Sequence, residues 1–106
     1  MFIDPNKLSK REILQGVNLR TAWGEKVMIA FIDIEPGSVI PPHNHPHEQM
    51  GMVLEGKLEF TIGQESKLLQ PGDAYLVPSG VEHSVKVIAG PARALDIFSP
   101  PREDYK

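Results

Sequence analysis

Between Pro41 and Gln49 the chain reads PPHNHPHEQ, a stretch that carries three of its four histidines together with a glutamate and a glutamine. Imidazole nitrogens are good ligands for first-row divalent metals, so such a cluster either gathers a cation or forms a very polar loop. His43 and His45 are two apart. On a strand that spacing points both rings to one face, about 7 Å apart along the chain. Pro46 interrupts the ladder, and a turn at Pro46–Glu48 followed by an antiparallel return brings Gln49 beside the two histidines. His83 is distant in sequence, but it follows the turn PSGVE and opens the run SVKVIA, where a tight turn can hold it firmly enough to complete a site. His43, His45, Gln49 and His83 are therefore the candidate metal ligands. His47 falls in the expected turn and is read as solvent-facing or lining a mouth. Glu48 points opposite to Gln49, toward solvent or a cationic partner.

The elements that must position these residues follow from composition and punctuation. At 106 residues the chain is expected to be one domain, with a metal-binding core over about residues 27–98. Its hydrophobic fraction of 41 % and charged fraction of 24 % are those of an ordinary soluble chain. A net charge of −3 gives no support for binding nucleic acid or an anionic membrane. There is no cysteine, which excludes disulfides and thiolate metal sites. The opening MFIDPNKLSKREILQG lacks the features of a secretory signal, and no apolar run approaches the ~20 residues of a membrane span, so a cytoplasmic location is expected.

Ten prolines and nine glycines separate short apolar runs, at Pro36-Gly37, Pro71-Gly72, Pro78-Ser79-Gly80 and Gly90-Pro91, with Gly56 and Gly63 marking two more boundaries. The runs VNLRTAW, KVMIAFIDIE, MGMVLEG, KLEFTIG, SKLLQ, AYLVP, SVKVIA and ARALDIF each have the length of a strand. Within KLEFTIG, Leu58, Phe60 and Ile62 alternate with Glu59 and Thr61, the period of a half-buried strand. Many short strands with Gly/Pro turns predict an all-β antiparallel sandwich or barrel. Only DPNKLSKREILQ has helical character, with Asp4 as N-cap and Pro5 at the first position, and an extended arm is the alternative.

Two spaced patterns then resemble a known family. Gly37, His43, His45, Gln49 and Gly56 resemble the first cupin motif, with Gln in the usual Glu position. Gly72, Pro78, Gly80 and His83 resemble the second, with Val87 where an Asn often ends it. The resemblance implies a cupin double-stranded β-helix, a small jelly-roll barrel with a divalent metal inside. Val87 is expected to be structural. Three imidazoles and one amide are all neutral ligands and leave a bound cation its full formal charge. That favours Lewis-acid work on a substrate oxygen over redox cycling, with Ni, Zn, Mn, Co or Fe all suited to the set.

The C-terminal ALDIFSPPR adds a second group of candidates. Asp96 and Phe98 share a strand face with Ala94, while Leu95 and Ile97 take the other. A carboxylate facing an apolar lumen is costly unless it has a partner or a task, and proton transfer is the candidate task of Asp96. A structural pair with Arg20 or Arg93 is the alternative. Arg102, beyond Pro100-Pro101, can fold over the mouth and grip a carboxylate with two parallel hydrogen bonds. PHNHPHEQMGMVLEG together with DIFSPPREDY resembles the pectin-degradation cupins, which act on 4,5-unsaturated uronates. Those proteins use a His-His-Gln-His metal set with an Asp, a Phe and an Arg, matched here by His43, His45, Gln49, His83, Asp96, Phe98 and Arg102. The resemblance implies an enzyme that converts a cyclic unsaturated uronate to its linear keto form. In it Asp96 and Arg102 would be catalytic, Phe98 and Arg102 would bind substrate, and the small-molecule partner would be a carboxylate-bearing sugar. A cupin dioxygenase, which the neutral ligand set disfavours, and a non-enzymatic sugar- or metal-binding module are the competing readings.

Met28, Met50 and Met52 are expected to fill core gaps or a dimer contact, and Trp23 and Tyr75 to supply barrel or interface area. Met50, Met52 and Leu54 alternate with Gln49, Gly51 and Val53, so they should face away from the site. An apolar outer face on so small a barrel suggests a homodimer.

Overall fold

Strand β3, Met28–Ile34, buries Met28, Ala30, Ile32 and Ile34 and leaves Ile29, Phe31 and Asp33 partly exposed. That alternation, repeated along the chain, makes each strand one wall of an antiparallel sandwich. In the computed structural model, which describes residues 1–106, the other strands are β1 Arg11–Leu14, β2 Val17–Trp23, β4 Val39–His43, β5 Glu48–Ile62, β6 Glu65–Leu69, β7 Ala74–Val77 and β8 His83–Ser99. Short 3-10 turns, Pro5–Lys7 and Glu103–Tyr105, lie near the two ends. No helix is long and apolar enough to cross a membrane.

The two long strands organise the barrel. The first half of β5 pairs with β7 and with the second half of β8, which continues into β3, β2 and β1. The second half of β5 pairs with β6 and with the first half of β8, which in turn pairs with β4. Each long strand thus contributes to two walls, as in a jelly roll, and Val17, Met28, Val53, Leu58, Val77 and Phe98 pack between them. The corner in β5 is at Gly56, whose φ of 80° suits glycine. A Cβ there would lie 2.7 Å from the carbonyl oxygen of Pro91 and 2.8 Å from that of Ala89, so no side chain fits.

Eight strands were expected and eight are present, but they are not the same eight. MGMVLEG and KLEFTIG are one strand, because the register shifts around Gly56 bend the ladder without ending it. SVKVIA and ARALDIF likewise join through Gly90-Pro91 into β8. The two extra strands are β1 and β4. β4 contains Pro41 and Pro42, which β-structure tolerates only where one side of the strand is unpaired, and β4 pairs with β8 alone. The N-terminal segment, readable as a helix or an extended arm, is helical only over the turn Pro5–Lys7, with the Asp4 carboxylate accepting from Asn6 N–H at 3.0 Å as an N-cap does. REIL becomes edge strand β1 instead, because pairing with β2 supplies contacts that a lone short helix lacks.

On the outside of β5, Met50, Met52 and Leu54 are 56 %, 40 % and 48 % exposed, as their alternation with Gln49 and Val53 requires. Leu76 and Ile97 lie opposite Met50 on the neighbouring strands and extend the same apolar face. Met28, by contrast, is wholly in the core.

Candidate metal centre and its cavity

His43 ends β4 and His83 opens β8, and the two are direct cross-strand partners. Their ring centroids are 4.2 Å apart, and the ring of His45, from the loop after β4, is 4.8 Å from that of His83. One ligating nitrogen from each of the three lies within 4.8 Å of the others. The three rings share one hydrogen-bonding device. Each directs Nδ1 at a backbone carbonyl two residues away: His43 to Pro41 at 2.9 Å, His45 to His47 at 3.0 Å and His83 to Val81 at 2.9 Å. A carbonyl can only accept, so Nδ1 carries a proton in all three, and Nε2 is the nitrogen free to act as a ligand. Burial pushes His45 below its ordinary pKa, helped by the charge of Arg102, and burial likewise pushes His83 down to about 4. Neutral imidazoles are the form a metal needs.

Two atoms at this site lack a proper partner. Nε2 of His83 is buried with no hydrogen bond, and Nε2 of His45 faces Oε1 of Gln49 at 3.0 Å. The second contact sets one acceptor against another once Nδ1 holds the His45 proton. Turning the amide over would relieve it only by aiming the amide oxygen at Asp96, whose carboxyl the Gln49 side chain helps to hold down. A cation between the three Nε2 atoms and Oε1 resolves both contacts. The residues therefore fit a first-row divalent ion with imidazole and amide-oxygen ligands, and the three-histidine group could hold one. His47 is outside this group; its carbonyl orients His45, and its ring centroid is 5.5 Å from that of His45.

Beside the histidines, three strands form a row. Tyr75 on β7, Gly51 on β5 and Asp96 on β8 are cross-strand neighbours, and the adjacent row is Val77, Gln49 and Phe98. The missing side chain at Gly51 lets Tyr75 and Asp96 meet across it, and the Tyr75 hydroxyl donates to Oδ1 of Asp96. A Cβ on Gly51 would stand 2.1 Å from that oxygen and 2.5 Å from the tyrosine hydroxyl. Asp96 is 4 % exposed. Burial pushes its carboxyl up to about 6, against the opposing pull of the Tyr75 and Gln49 hydrogen bonds and the Arg102 charge. Burial also raises Tyr75. Arg20 and Arg93 are both drawn to Asp33 on the outer face, at 3.5 and 2.9 Å, so the alternative of a structural pair with Asp96 does not occur.

These groups border a cavity of about 440 Å³ lined largely by apolar side chains, Ile32, Leu58, Phe60 and Val85 among them. Arg102 lies at its edge, only 9 % exposed, with its guanidinium 3.8 Å from the Tyr105 ring centroid and 5.2 Å from that of Phe98. Its fork grips the carboxylate of Asp104, Nε to Oδ1 at 3.2 Å and one terminal nitrogen to Oδ2 at 2.8 Å. The seven residues singled out in the sequence are thus brought together, from β4, the loop after it, β5, β8 and the C-terminal segment. Tyr75, Gly51, Asp104 and Tyr105 were not singled out for this site. Tyr75 supplies barrel area, as expected, and also lines the cavity, because it shares the buried face of β7 with Val77. Gly51 had a readable signal, since a glycine at an inward position of a regular strand marks a close approach.

Comparison with known proteins agrees with this architecture. Residues 30–98 match the cupin domain. The chain is 31 % identical over 106 residues to the pectin degradation protein KdgF of Dickeya dadantii, a match covering 98 % of this chain and 96 % of that protein. The structure of KdgF from Halomonas sp. superimposes with a TM-score of 0.93 at 27 % identity, covering 100 % of this chain and 98 % of that one. An RmlC-like cupin from Shewanella frigidimarina gives the same TM-score, 0.93, and identity, 27 %, over 99 % of this chain and 95 % of its own. By its barrel, its family match and its full-length relative, the chain belongs to the cupin family.

Proposed function

We propose that this cupin is a metal-dependent enzyme of pectin or alginate breakdown that converts a 4,5-unsaturated uronate to its linear keto form. The observation that carries the reading is the meeting, at one cavity, of a three-histidine group and an amide oxygen with a buried carboxyl and a buried guanidinium. The full-length similarity to a pectin degradation protein supports the substrate class.

The reaction is an isomerisation. The anomeric hydroxyl loses a proton, the ring C–O bond opens onto the enol oxygen, and carbon 4 gains a proton as the enol becomes a ketone. His43, His45, Gln49 and His83 would hold the cation, which when bound supplies Lewis acidity toward sugar oxygens. Asp96 carries the proton, with the Tyr75 hydroxyl fixing its position by a hydrogen bond. Arg102 takes the substrate carboxylate through its planar fork, and Phe98 walls the sugar ring beside it. The apolar outer face formed by Met50, Met52, Leu54, Leu76 and Ile97 supports a homodimer.

The test is an ultraviolet assay on a 4,5-unsaturated uronate with product identification by NMR. Loss of the conjugated absorbance with a linear keto product is expected from metal-loaded protein and should cease on chelation. Oxygen uptake with an aromatic substrate, or sugar-acid binding without turnover, would instead support a dioxygenase or a binding module.

A further inference from the structure

The guanidinium of Arg102 is fixed before any ligand arrives. It stacks 3.8 Å from the Tyr105 ring centroid and is nearly buried, so its orientation does not depend on Asp104. The partners of the Arg102–Asp104 pair differ sharply in exposure: the arginine side chain is 10 % exposed and the aspartate 61 %. The backbone around Asp104 is tied down, with Arg11 donating to the carbonyls of Asp104 at 2.7 Å and Lys106 at 3.3 Å, and Thr21 Oγ1 donating to that of Tyr105 at 2.7 Å. A solvent-exposed carboxylate on an anchored backbone can leave by side-chain rotation alone.

We propose that Asp104 is a resident placeholder in the carboxylate subsite. It occupies the Arg102 fork in the free protein and swings out when the carboxylate of the substrate takes its place. This rests on the reading of Arg102 as the carboxylate-binding residue. The placeholder keeps a buried cation paired between turnovers, which matters because an unpaired buried charge is costly. It also sets selectivity, since an incoming anion must displace a two-point contact and a ligand that offers one oxygen does so poorly. Asp104 acts on binding alone and touches no reacting atom, so its removal should change KM and leave kcat.

The experiment compares wild type with Asp104→Asn, Asp104→Ser and the control Glu103→Gln. Glu103 pairs with Lys106 and leaves Arg102 untouched, so its change removes the same charge without freeing the fork. With metal-loaded protein, both Asp104 variants should lower KM for the unsaturated uronate about two- to fivefold, the range an exposed ion pair is worth, at constant kcat. Glu103→Gln should leave both constants unchanged. A KM that is unchanged or raised in both Asp104 variants would overturn the placeholder, as would an equal fall in Glu103→Gln. Calorimetry with D-galacturonate separates the two readings. If Arg102→Gln binds it as wild type does, the carboxylate role of Arg102 fails and the placeholder with it. If Arg102→Gln loses binding and the Asp104 variants gain none, only the placeholder fails.

Discussion

Replacing Asp96 by Asn should make the metal-free protein more stable above pH 6 while abolishing turnover. Burial raises the Asp96 carboxyl to about 6 from its ordinary 3.8. The stability associated with this raised value is fully present below 3.8 and is lost as pH rises through about 6, where folding must bury a charge that the unfolded chain keeps in water. The gap corresponds to about 3 kcal/mol at neutral pH. An amide avoids that penalty, keeps an oxygen for the Tyr75 hydroxyl, and leaves about 1 kcal/mol of imperfectly paired N–H. The net gain is about 2 kcal/mol, or about 8 °C in melting temperature for a chain of this size. His83 runs the other way: depressed to about 4 from 6.5, it contributes stability present above 6.5 and lost as pH falls through about 4. In wild type Asp96 and His83 oppose each other between about pH 4 and 6, whereas in Asp96→Asn the rise from His83, joined by the depressed His45, is unopposed. Thermal melts with a chelator present, from pH 4 to 8, should therefore diverge with pH and meet near pH 4. The chelator matters because a bound cation would itself pull the carboxyl down. A variant less stable than wild type at pH 7.5, or equally shifted at pH 4 and 7.5, would refute the reasoning.

Gly51→Ala drives a methyl group to within 2.1 Å of Asp96 and 2.5 Å of Tyr75, so the pair must separate. It should cost about 1–3 kcal/mol in denaturant melts and at least about tenfold in kcat, with metal content by elemental analysis unchanged; full activity would deny the pair a role. His83→Ala removes a buried candidate ligand and should abolish metal retention, and a normal metal content would sink the proposed site. Met50→Lys combined with Leu76→Lys puts charge on the apolar outer face and should leave a folded monomer by light scattering. A wild-type protein that is already monomeric, or a variant that stays dimeric, would place any contact elsewhere.

The sequence made the inward residues legible and the turns only partly so. Alternation told that Gln49, Asp96 and Phe98 face one way and Met50 and Ile97 the other, because side-chain direction in a strand depends on parity alone. It could not tell that Gly56 and Gly90-Pro91 bend strands where Pro36-Gly37 and Pro71-Gly72 end them. The local chemistry is the same, and the difference lies in whether a partner strand continues alongside. β1 and β4 were illegible for a related reason: an edge strand needs little pattern of its own when a neighbour supplies the ladder. Tyr75 was illegible as a site residue because its meeting with Asp96 is a matter of register between β7, β5 and β8, and register is a long-range property.

That register also explains why position 49 suits glutamine. The side chain has Asp96 on one side and the histidine centre on the other, and an amide presents a donor to the first and an acceptor to the second. A glutamate would present only oxygens. It would serve the metal, but it would set a second carboxylate against Asp96 in a buried place, where two like charges push one of the pair to hold a proton. On the proposed reading, the choice of a neutral ligand and the presence of a proton-carrying acid are therefore one feature of the site. On that reading Gln49 would leave a bound cation its charge while helping to hold the Asp96 carboxyl down.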